Sequence, residues 1–171
     1  MTEGEILETI LKTGFVKSDV HRRIRLLRQY LEHSFFGSGD KQPLAQFLTN
    51  MSVPEVDAEI MKSWGDAFYS TFTKENAYDL VDSVGEKVKD LPVVNVYVPI
   101  ELDKEQIERY GTWFRQNVDE HILVEFHLEH NTIGGCAFAW QGVYQDFSLR
   151  HYLHGRDEEI QKIIDGYTEK K

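Results

Sequence analysis

Apolar residues recur at helical spacing through the first half of the chain. The clearest stripe follows the i, i+3, i+4, i+7 order of a helix that buries one face. Its members are Val20, Ile24, Leu27, Leu31 and Phe35. Similar stripes lie on either side and are separated by turn residues at Gly14, at positions 37–40 and at Pro54. The pattern predicts amphipathic helices from residue 4 to residue 90.

The stripe that follows Pro54 predicts a single helix with one apolar side. The apolar residues of that side are Val56, Ile60, Met61, Trp64 and Phe68. A further helix is predicted beyond Thr73, whose hydroxyl can cap it, and Leu91-Pro92 ends the helical pattern because proline disfavours helical conformation in the residue before it. Amphipathic helices with short connections bury their stripes against each other. The sequence therefore predicts an antiparallel helical bundle over residues 1–91.

The spacing of apolar residues changes beyond Pro92. Val93–Val98 is short and rich in β-branched residues, which is typical of a strand. Asp103–Gln106 has the capping-box pattern that opens a helix. The residues of that helix predicted to face inward are Ile107, Tyr110, Trp113 and Phe114. From His121 onward apolar and polar side chains alternate, as they do in a half-buried strand.

Two further strands are predicted ahead of a final helical region. They lie on either side of Gln141-Gly142, a pair suited to a hairpin turn. Ser148 can cap the helical region that follows. The chain is therefore predicted to have an α+β fold, in which the helical bundle is followed by a small α/β domain with a short mixed sheet over residues 92–171.

Composition narrows the classes of partner. The chain has 171 residues, of which 41% are hydrophobic, and this is enough to build packed cores. Its formal net charge of -10 argues against nucleic acid as a partner, because binding a polyphosphate needs a surplus of Lys and Arg. The single cysteine, Cys136, excludes an intramolecular disulfide. No apolar run approaches the roughly 18 residues that span a bilayer, so we expect membrane contact only indirectly, through other proteins.

The histidines raise the question of a metal site, since most of them lie between residues 121 and 154. The polar side of the predicted strand offers these candidate ligands: His121, Glu125, His127 and Glu129. Strand alternation places His127 and His130 on opposite faces, however, and zinc needs three or four ligands that converge. We expect surface histidines, with no metal and no cofactor. A small metal-binding enzyme or sensor stays open as an alternative.

Catalytic residue types occur close together near the final helical region. Asp146, Ser148 and His151 are the types found in a hydrolase triad. They are crowded into six residues at a strand-to-helix junction, where a turn and a helix cap are the better interpretation. Cys136 opens an apolar strand without a neighbouring base, as a small buried side chain does. The sequence therefore predicts a protein without catalytic residues.

A basic stretch stands out against the acidic composition. Its four arginines are Arg22, Arg23, Arg25 and Arg28. On an acidic protein such a helix face could receive an acidic segment of a partner. Trp64 and Phe68, if they are exposed, are further candidates for a docking surface. These six residues form the predicted partner-binding set, and a stand-alone adaptor for an unrelated helical partner is a second alternative.

Three pieces of the C-terminal part carry a family resemblance. They are Pro99–Gln106 before the predicted helix, Ile133, Gly134 and Gly135 before a strand, and Asp146, Ser148 and Leu153 around the last helical region. In this order, over residues 93–153, the chain resembles the delta subunit of rotary ATP synthases, which is called the oligomycin-sensitivity-conferring protein in mitochondria. The N-terminal part is helical, as in that family, but shorter than the six-helix domain usual there.

The resemblance implies a non-catalytic subunit of the stator. In the family, the N-terminal bundle binds the N-terminal helices of alpha subunits, and the C-terminal domain binds the C-terminal part of the b subunits. Such a connector resists the torque of the rotor during ATP synthesis and proton transport. The resemblance further implies that the signature residues are structural. The start of the chain lacks a transit-peptide pattern, which favours the cytoplasmic face of a bacterial membrane.

Overall fold

A computed structural model describes residues 1–37 and 42–168, so part of the predicted turn at positions 37–40 lies outside the described residues. The described residues form nine helices and a four-stranded mixed sheet, which confirms the predicted α+β class. The first helices are α1 (Glu3–Lys12), α2 (Lys17–Phe36), α3 (Leu44–Asn50), α4 (Glu55–Ser63), α5 (Gly65–Tyr69) and α6 (Ala77–Lys89). The later elements are β1 (Val93–Val98), α7 (Lys104–Asn117), β2 (Leu123–Leu128), β3 (Ala137–Trp140), β4 (Val143–Asp146), α8 (Leu149–Leu153) and α9 (Asp157–Thr168).

The chain divides into two compact units. The first contains Met1–Val93 and Glu105–Val124, and the second contains Val94–Lys104 and the residues from Glu125 onward. Most of α7 therefore belongs with the helices that precede β1, although the sequence pattern assigned it to the C-terminal part. The division into domains at residue 91 stays a prediction.

The core of the first unit consists of the predicted helical stripes. Helix α1 begins at a capping box, in which the Thr2 hydroxyl accepts a hydrogen bond from the Glu5 backbone N–H and the Glu5 carboxylate accepts one from the Thr2 N–H. The stripe of α2 is buried as predicted at Val20, Ile24, Leu27 and Leu31. The other segments preceding β1 contribute these core residues: Ile6, Ile10, Leu11, Phe47, Leu48, Met61, Trp64, Phe68, Phe72, Ala77, Val81, Val84 and Val88.

The prediction of one helix after Pro54 is wrong, because the helix is interrupted at Gly65. This glycine has φ +76°, a left-handed conformation that side chains with a Cβ rarely adopt, and α5 starts there in a new direction. The Tyr69 hydroxyl, at the end of α5, donates a hydrogen bond to the Met61 carbonyl in α4 at 2.7 Å. Val56 is exposed, although the single-helix pattern placed it on the buried side, because α4 buries the face that carries Asp57 and Met61.

The sheet has the strand order β2-β1-β3-β4. Strands β1 and β2 run parallel, since the N–H groups of Leu123 and Glu129 bond the carbonyls of Pro92 and Val98 in the same sense, each at 2.8 Å. Helix α7 is the crossover between them. Strand β3 pairs antiparallel with both β1 and β4, and Gln141-Gly142, both at positive φ, form the tight turn of the β3–β4 hairpin.

Helix α7 turns only part of the predicted face inward, since Ile107 and Phe114 are half-buried and the other two residues are exposed. Tyr110 and Trp113 are 46% and 55% exposed. Gly111 is buried instead, and a Cβ built on it would lie only 2.4 Å from the ring of Phe15, in the loop between α1 and α2. The prediction failed for Tyr110 and Trp113 because it assumed that the largest apolar residues face inward. The helix approaches Phe15 so closely that only a glycine fits at the point of contact.

Arg115 fixes α7 in this orientation. Its guanidinium donates hydrogen bonds to the carbonyl of Leu11, in the last turn of α1, and to that of Gly14, just beyond the helix. It also lies 4.5 Å from the centroid of the Phe15 ring. Burial lowers the pKa of Arg115, although the negative charge of Glu8 opposes this change. A cation bound to the carbonyls of a helix C-terminus is also favourably placed with respect to the helix dipole. The contact therefore attaches α7 to α1 through backbone atoms, which no residue pattern of α1 could indicate.

Candidate interaction surfaces

Two of the four arginines predicted to bind a partner, Arg22 and Arg23, instead bind a carboxylate of the first unit. Asp57 of α4 has a completely buried side chain, and its two carboxylate oxygens accept hydrogen bonds from Arg22 Nε at 2.6 Å and Arg23 Nε at 2.8 Å. Arg23 also donates to the Thr13 carbonyl, and Arg22 pairs with Asp19. The prediction for Arg23 is corrected, because its buried side chain connects α2 to α4 and the end of α1.

The charges of this cluster determine its titration. Burial alone raises the pKa of Asp57, but hydrogen bonds and positive charge from Arg22 and Arg23 outweigh burial, so the pKa lies below its usual value. The Asp57 carboxylate in turn raises the pKa of Arg22. The cluster is therefore ionised at neutral pH, and loss of the Asp57 carboxylate would leave the buried Arg23 charge without its partner.

The other two arginines do not contact Asp57. Arg25 is exposed. Arg28 forms an ion pair with Asp82 of α6 and borders a groove between the two helices. Only this end of the basic stretch coincides with an apolar surface.

Trp64 and Phe68 do not form a docking surface. They are 7% and 1% exposed, and their ring centroids lie 4.8 Å apart within an aromatic cluster that also includes Tyr69 and Phe72. The prediction for these two residues is corrected, since Gly65 turns α5 so that Phe68 packs into the core.

An apolar groove between α2 and α6 is the surface that the sequence pattern missed. We call it the α2/α6 groove, and its lining residues are Arg28, Leu31, Glu32, Phe36, Ala77, Tyr78 and Val81. Phe36 and Tyr78 are 47% and 41% exposed and their rings lie 5.2 Å apart. Lys74 Nζ lies 5.5 Å from the centroid of the Phe36 ring. The sequence does contain a signal for this groove: Phe36 and Tyr78 each directly follow a residue of a helical stripe, Phe35 and Ala77.

The groove is suited to a helix and is small for a metabolite. The space it encloses is only about 10 Å³, whereas pockets for small molecules usually have roughly 300–1,000 Å³. Leu31 and Val81 form an apolar floor, and charged side chains of Arg28 and Glu32 stand at the rim. An apolar floor with a charged rim fits an amphipathic helix laid along it.

The residues of the family signature meet at one point in the second unit. A Cβ built on Gly135 would lie 2.3 Å from the carbonyl oxygen of Phe147, so the two backbones approach more closely than any other residue would allow. Leu149 N–H donates to the Gly134 carbonyl, and Phe147 N–H donates to the Cys136 carbonyl. The glycine pair is thereby held against the segment that leads into α8.

Asp146 and Ser148 organise the same junction. The Asp146 carboxylate accepts a hydrogen bond from the Ser148 N–H at 2.8 Å, and hydrogen bonding from Ser148 lowers the pKa of Asp146. The buried Ser148 hydroxyl accepts a hydrogen bond from the His151 N–H, which caps α8. The three residue types of a triad are arranged here as a turn and a helix cap.

An exposed apolar surface surrounds this junction. We call it the α8 patch, and its members are Ile133, Phe147, Leu149, Tyr152 and Leu153. Their exposed fractions range from 38% to 60%. The signature residues Ile133 and Leu153 therefore lie at the surface, beside the packed glycine pair.

The candidate metal ligands are not brought together. His121 Nε2 lies 2.6 Å from the Glu8 carboxylate, while His127 Nε2 lies 3.0 Å from Asn95 Oδ1 and its ring stacks on Tyr97. In residues 1–37 and 42–168, no three His, Cys, Asp or Glu side chains are grouped so that they could hold a metal ion. Burial raises the pKa of Cys136, and the charge of Asp146 acts in the same direction, so the thiol is not activated.

No protein-family model matches the chain, and no curated protein matches its sequence. Among the helices in the described part of the chain, none combines the length and apolarity needed to cross a membrane.

Proposed function

We propose that the protein is the peripheral-stalk connector of a rotary ATP synthase. It links the alpha subunits of the catalytic head to the b subunits of the stator and prevents the head from turning with the rotor. It performs no chemistry itself and binds no cofactor. Its place is the cytoplasmic face of a bacterial membrane, to which the other subunits hold it.

The packing of the signature residues carries this proposal. Gly135 and Phe147 are separated by a hairpin in sequence, yet their backbones are in the closest contact of the junction. The contact continues the pairing of β3 with β4, in which Ala137 lies opposite Asp146 and Phe147 bonds Cys136. Two of the three pieces on which the family resemblance rests, the glycine pair and the Asp146–Ser148 segment, are therefore parts of one structural feature, and this supports the proposal.

The α2/α6 groove supports the other half of the proposal. A connector must hold a helix of the head with a surface that lies on rigid elements. The groove lies on two packed helices, α2 and α6, and its floor belongs to the core of the first unit. We assign it to the N-terminal helix of an alpha subunit.

Truncating the groove walls tests this assignment. Replacing both Phe36 and Tyr78 with alanine is expected to weaken binding of a peptide from the alpha N-terminus by about tenfold or more, because exposed aromatics that anchor a helix dominate such interfaces. Fluorescence anisotropy with the labelled peptide measures the Kd. Tyr152→Ala, a truncation of an exposed aromatic in the second unit, is the matched control and should leave this Kd unchanged.

Two results would contradict the assignment. One is an unchanged Kd in the Phe36 and Tyr78 variant while circular dichroism shows an intact fold. The other is the absence of binding to the alpha peptide by the unmodified protein at low salt, which would remove the proposed function as well.

A further inference from the structure

We propose that one face of the sheet binds an arginine side chain from a basic segment of a partner protein. The surface is a row of three rings in the second unit, His127, Tyr97 and Tyr144, which we call the tyrosine ridge. Binding of arginine at the tyrosine ridge goes beyond the proposed function and does not depend on it.

The tyrosine ridge crosses the sheet from β2 to β4. The His127 ring stacks on the Tyr97 ring with centroids 5.0 Å apart, and the Tyr97 and Tyr144 rings lie 6.1 Å apart in a T-shaped arrangement. Strand β3 separates β1 from β4, but it places only alanines under the ridge, because Ala137 pairs with Tyr97 and Ala139 with Tyr144. Residues paired across strands share a face of the sheet. The small side chains of β3 therefore let two tyrosines meet across a strand.

The ridge is supported from one side and open on the other. His127 Nε2–H donates a hydrogen bond to Asn95 Oδ1 at 3.0 Å, and this bond fixes the ring on which Tyr97 stacks. Tyr97 and His127 are half-buried, whereas Tyr144 is 61% exposed. A cation placed over an open tyrosine ring is attracted by the negative potential of the ring face. The exposed ring of Tyr144 is therefore the place where a cationic group binds.

The sheet around the ridge is acidic throughout. Its strands and connecting loops within the second unit, residues 94–103 and 125–149, contain no Lys or Arg. They contain these carboxylates: Glu101, Asp103, Glu125, Glu129 and Asp146. An acidic surface attracts a basic partner and repels an acidic one. The charge of the sheet therefore selects a cationic ligand.

The electrostatics at Tyr144 agree with this selection. Desolvation raises the pKa of its hydroxyl, and the negative charges of Asp146 and Glu129 raise it further. The first arginine beyond the sheet, Arg150, and the adjacent His151 act on Asp146 and lower its pKa. Negative charge therefore reaches the exposed ring itself from two sides, from the end of β4 and from the residue that follows β2.

Arginine suits the ridge better than lysine. Its planar guanidinium stacks on an aromatic ring and can pair with a carboxylate through two N–H groups at the same time. Tyr144 and Asp146 are two residues apart on β4, so their side chains leave the same face of the sheet. One guanidinium can therefore cover the Tyr144 ring and approach the Asp146 carboxylate.

Other occupants fit the ridge less well. Aromatic rings on a sheet face also bind single-stranded nucleic acid, but such sites add basic residues along the path of the phosphates, and this sheet has carboxylates instead. A small molecule is usually enclosed in a pocket, whereas the Tyr144 side chain stands on an open surface. A second copy of the chain is a further rival, since Arg150 is exposed.

Removing and restoring the exposed ring tests the inference. The probe is a short labelled peptide of alternating arginine and serine, and fluorescence anisotropy at low salt measures its Kd with the full-length protein. Tyr144→Leu is expected to weaken binding roughly fivefold or more, because it removes the ring, whereas Tyr144→Phe keeps the ring and should stay within about twofold of the unmodified protein. Tyr152→Leu makes the same change at an exposed tyrosine of α8 and is the matched control.

The charge is tested on both partners. A peptide with citrulline in place of arginine keeps the shape without the charge and should bind about tenfold more weakly. Glu129→Gln is expected to weaken binding of the arginine peptide roughly threefold, while its amide oxygen can still accept the hydrogen bond from the Asn131 N–H. Glu158→Gln removes the same charge from an exposed position of α9 and should leave the Kd unchanged.

Four results would each overturn the inference. The first is an unchanged Kd in Tyr144→Leu, or no binding of the arginine peptide by the unmodified protein. The second is an equal loss in Glu129→Gln and Glu158→Gln, which would trace binding to the overall charge of the chain. The third is tighter binding of oligouridylate than of the arginine peptide, and the fourth is a dimer of the unmodified protein that Tyr144→Leu abolishes. The proposed function stands in every case, because binding of the alpha and b segments is measured separately.

Discussion

Replacing Asp57 with alanine is expected to lower the free energy of unfolding by roughly 3–5 kcal/mol, the usual cost of breaking a buried ion pair from one side. The Asp57 side chain is 0% exposed, and the partner Arg23 is 4% exposed. Without the carboxylate, the Arg23 guanidinium would be left buried with no opposite charge except the more distant Asp19. Urea unfolding followed by circular dichroism measures the change.

Asp82 provides the matched control for Asp57. It also forms an ion pair with an arginine of α2, but its side chain is 57% exposed. Asp82→Ala is therefore expected to cost no more than about 1 kcal/mol, as exposed ion pairs do. Equal effects of Asp57→Ala and Asp82→Ala would contradict the role that we assign to burial.

The same cluster gives a pH dependence with a definite sign. The pKa of Asp57 is lower in the folded protein than the value of about 3.9 expected for an unfolded chain. Its contribution to stability is therefore complete above the unfolded-state pKa and is lost as the pH falls through the folded-state pKa. The stability difference between the unmodified protein and Asp57→Asn should be constant above about pH 5 and should narrow in acid. A difference that does not change with pH would exclude this explanation.

The second large effect is expected at Gly135. Gly135→Ala should lower the free energy of unfolding of the second unit by about 2–4 kcal/mol, because it adds a backbone clash to an unfavourable left-handed conformation. The added Cβ would lie 2.3 Å from the Phe147 carbonyl oxygen, and Gly135 has φ +73°. Hydrogen exchange of peptides covering β3, β4 and α8 measures the loss, which should appear as faster exchange in these segments.

Gly142 separates the two causes. It has φ +79°, but a Cβ built on it would meet no atom within 4 Å. Gly142→Ala should therefore show only the conformational cost, about 1–2 kcal/mol. If the two variants accelerate exchange equally, the close approach of the Gly135 and Phe147 backbones does not stabilise the junction.

The helices and strands were predictable because periodicity depends only on neighbouring residues. The α2 stripe from Val20 to Leu31 is buried as its spacing indicates, and β1, the β3–β4 hairpin and α8 lie where β-branched residues, Gln141-Gly142 and Ser148 place them. The same reasoning failed at Gly65, since a glycine within a helical stripe does not reveal whether it adopts a left-handed conformation.

The roles of individual charged residues were not predictable in the same way. Arg23 looked like a surface residue, because its ion-pair partner Asp57 is 34 residues away and only the packing of α4 on α2 brings them together. Likewise, Arg115 bonds backbone carbonyls, which every residue possesses, so no sequence pattern marks its partners. The positions of Tyr110 and Trp113 depended on Gly111, whose contact with Phe15 decides which face of α7 is buried.

Simultaneous binding of both partners tests the central claim most directly, because a connector that holds the head against the stalk must carry an alpha helix and a b helix at once. Analytical ultracentrifugation of the protein with the alpha N-terminal peptide and the b C-terminal fragment measures this. We predict one equimolar complex of all three components, in which each partner binds with the affinity it has alone. Competition between the two partners for the protein, or the binding of neither, would contradict the account.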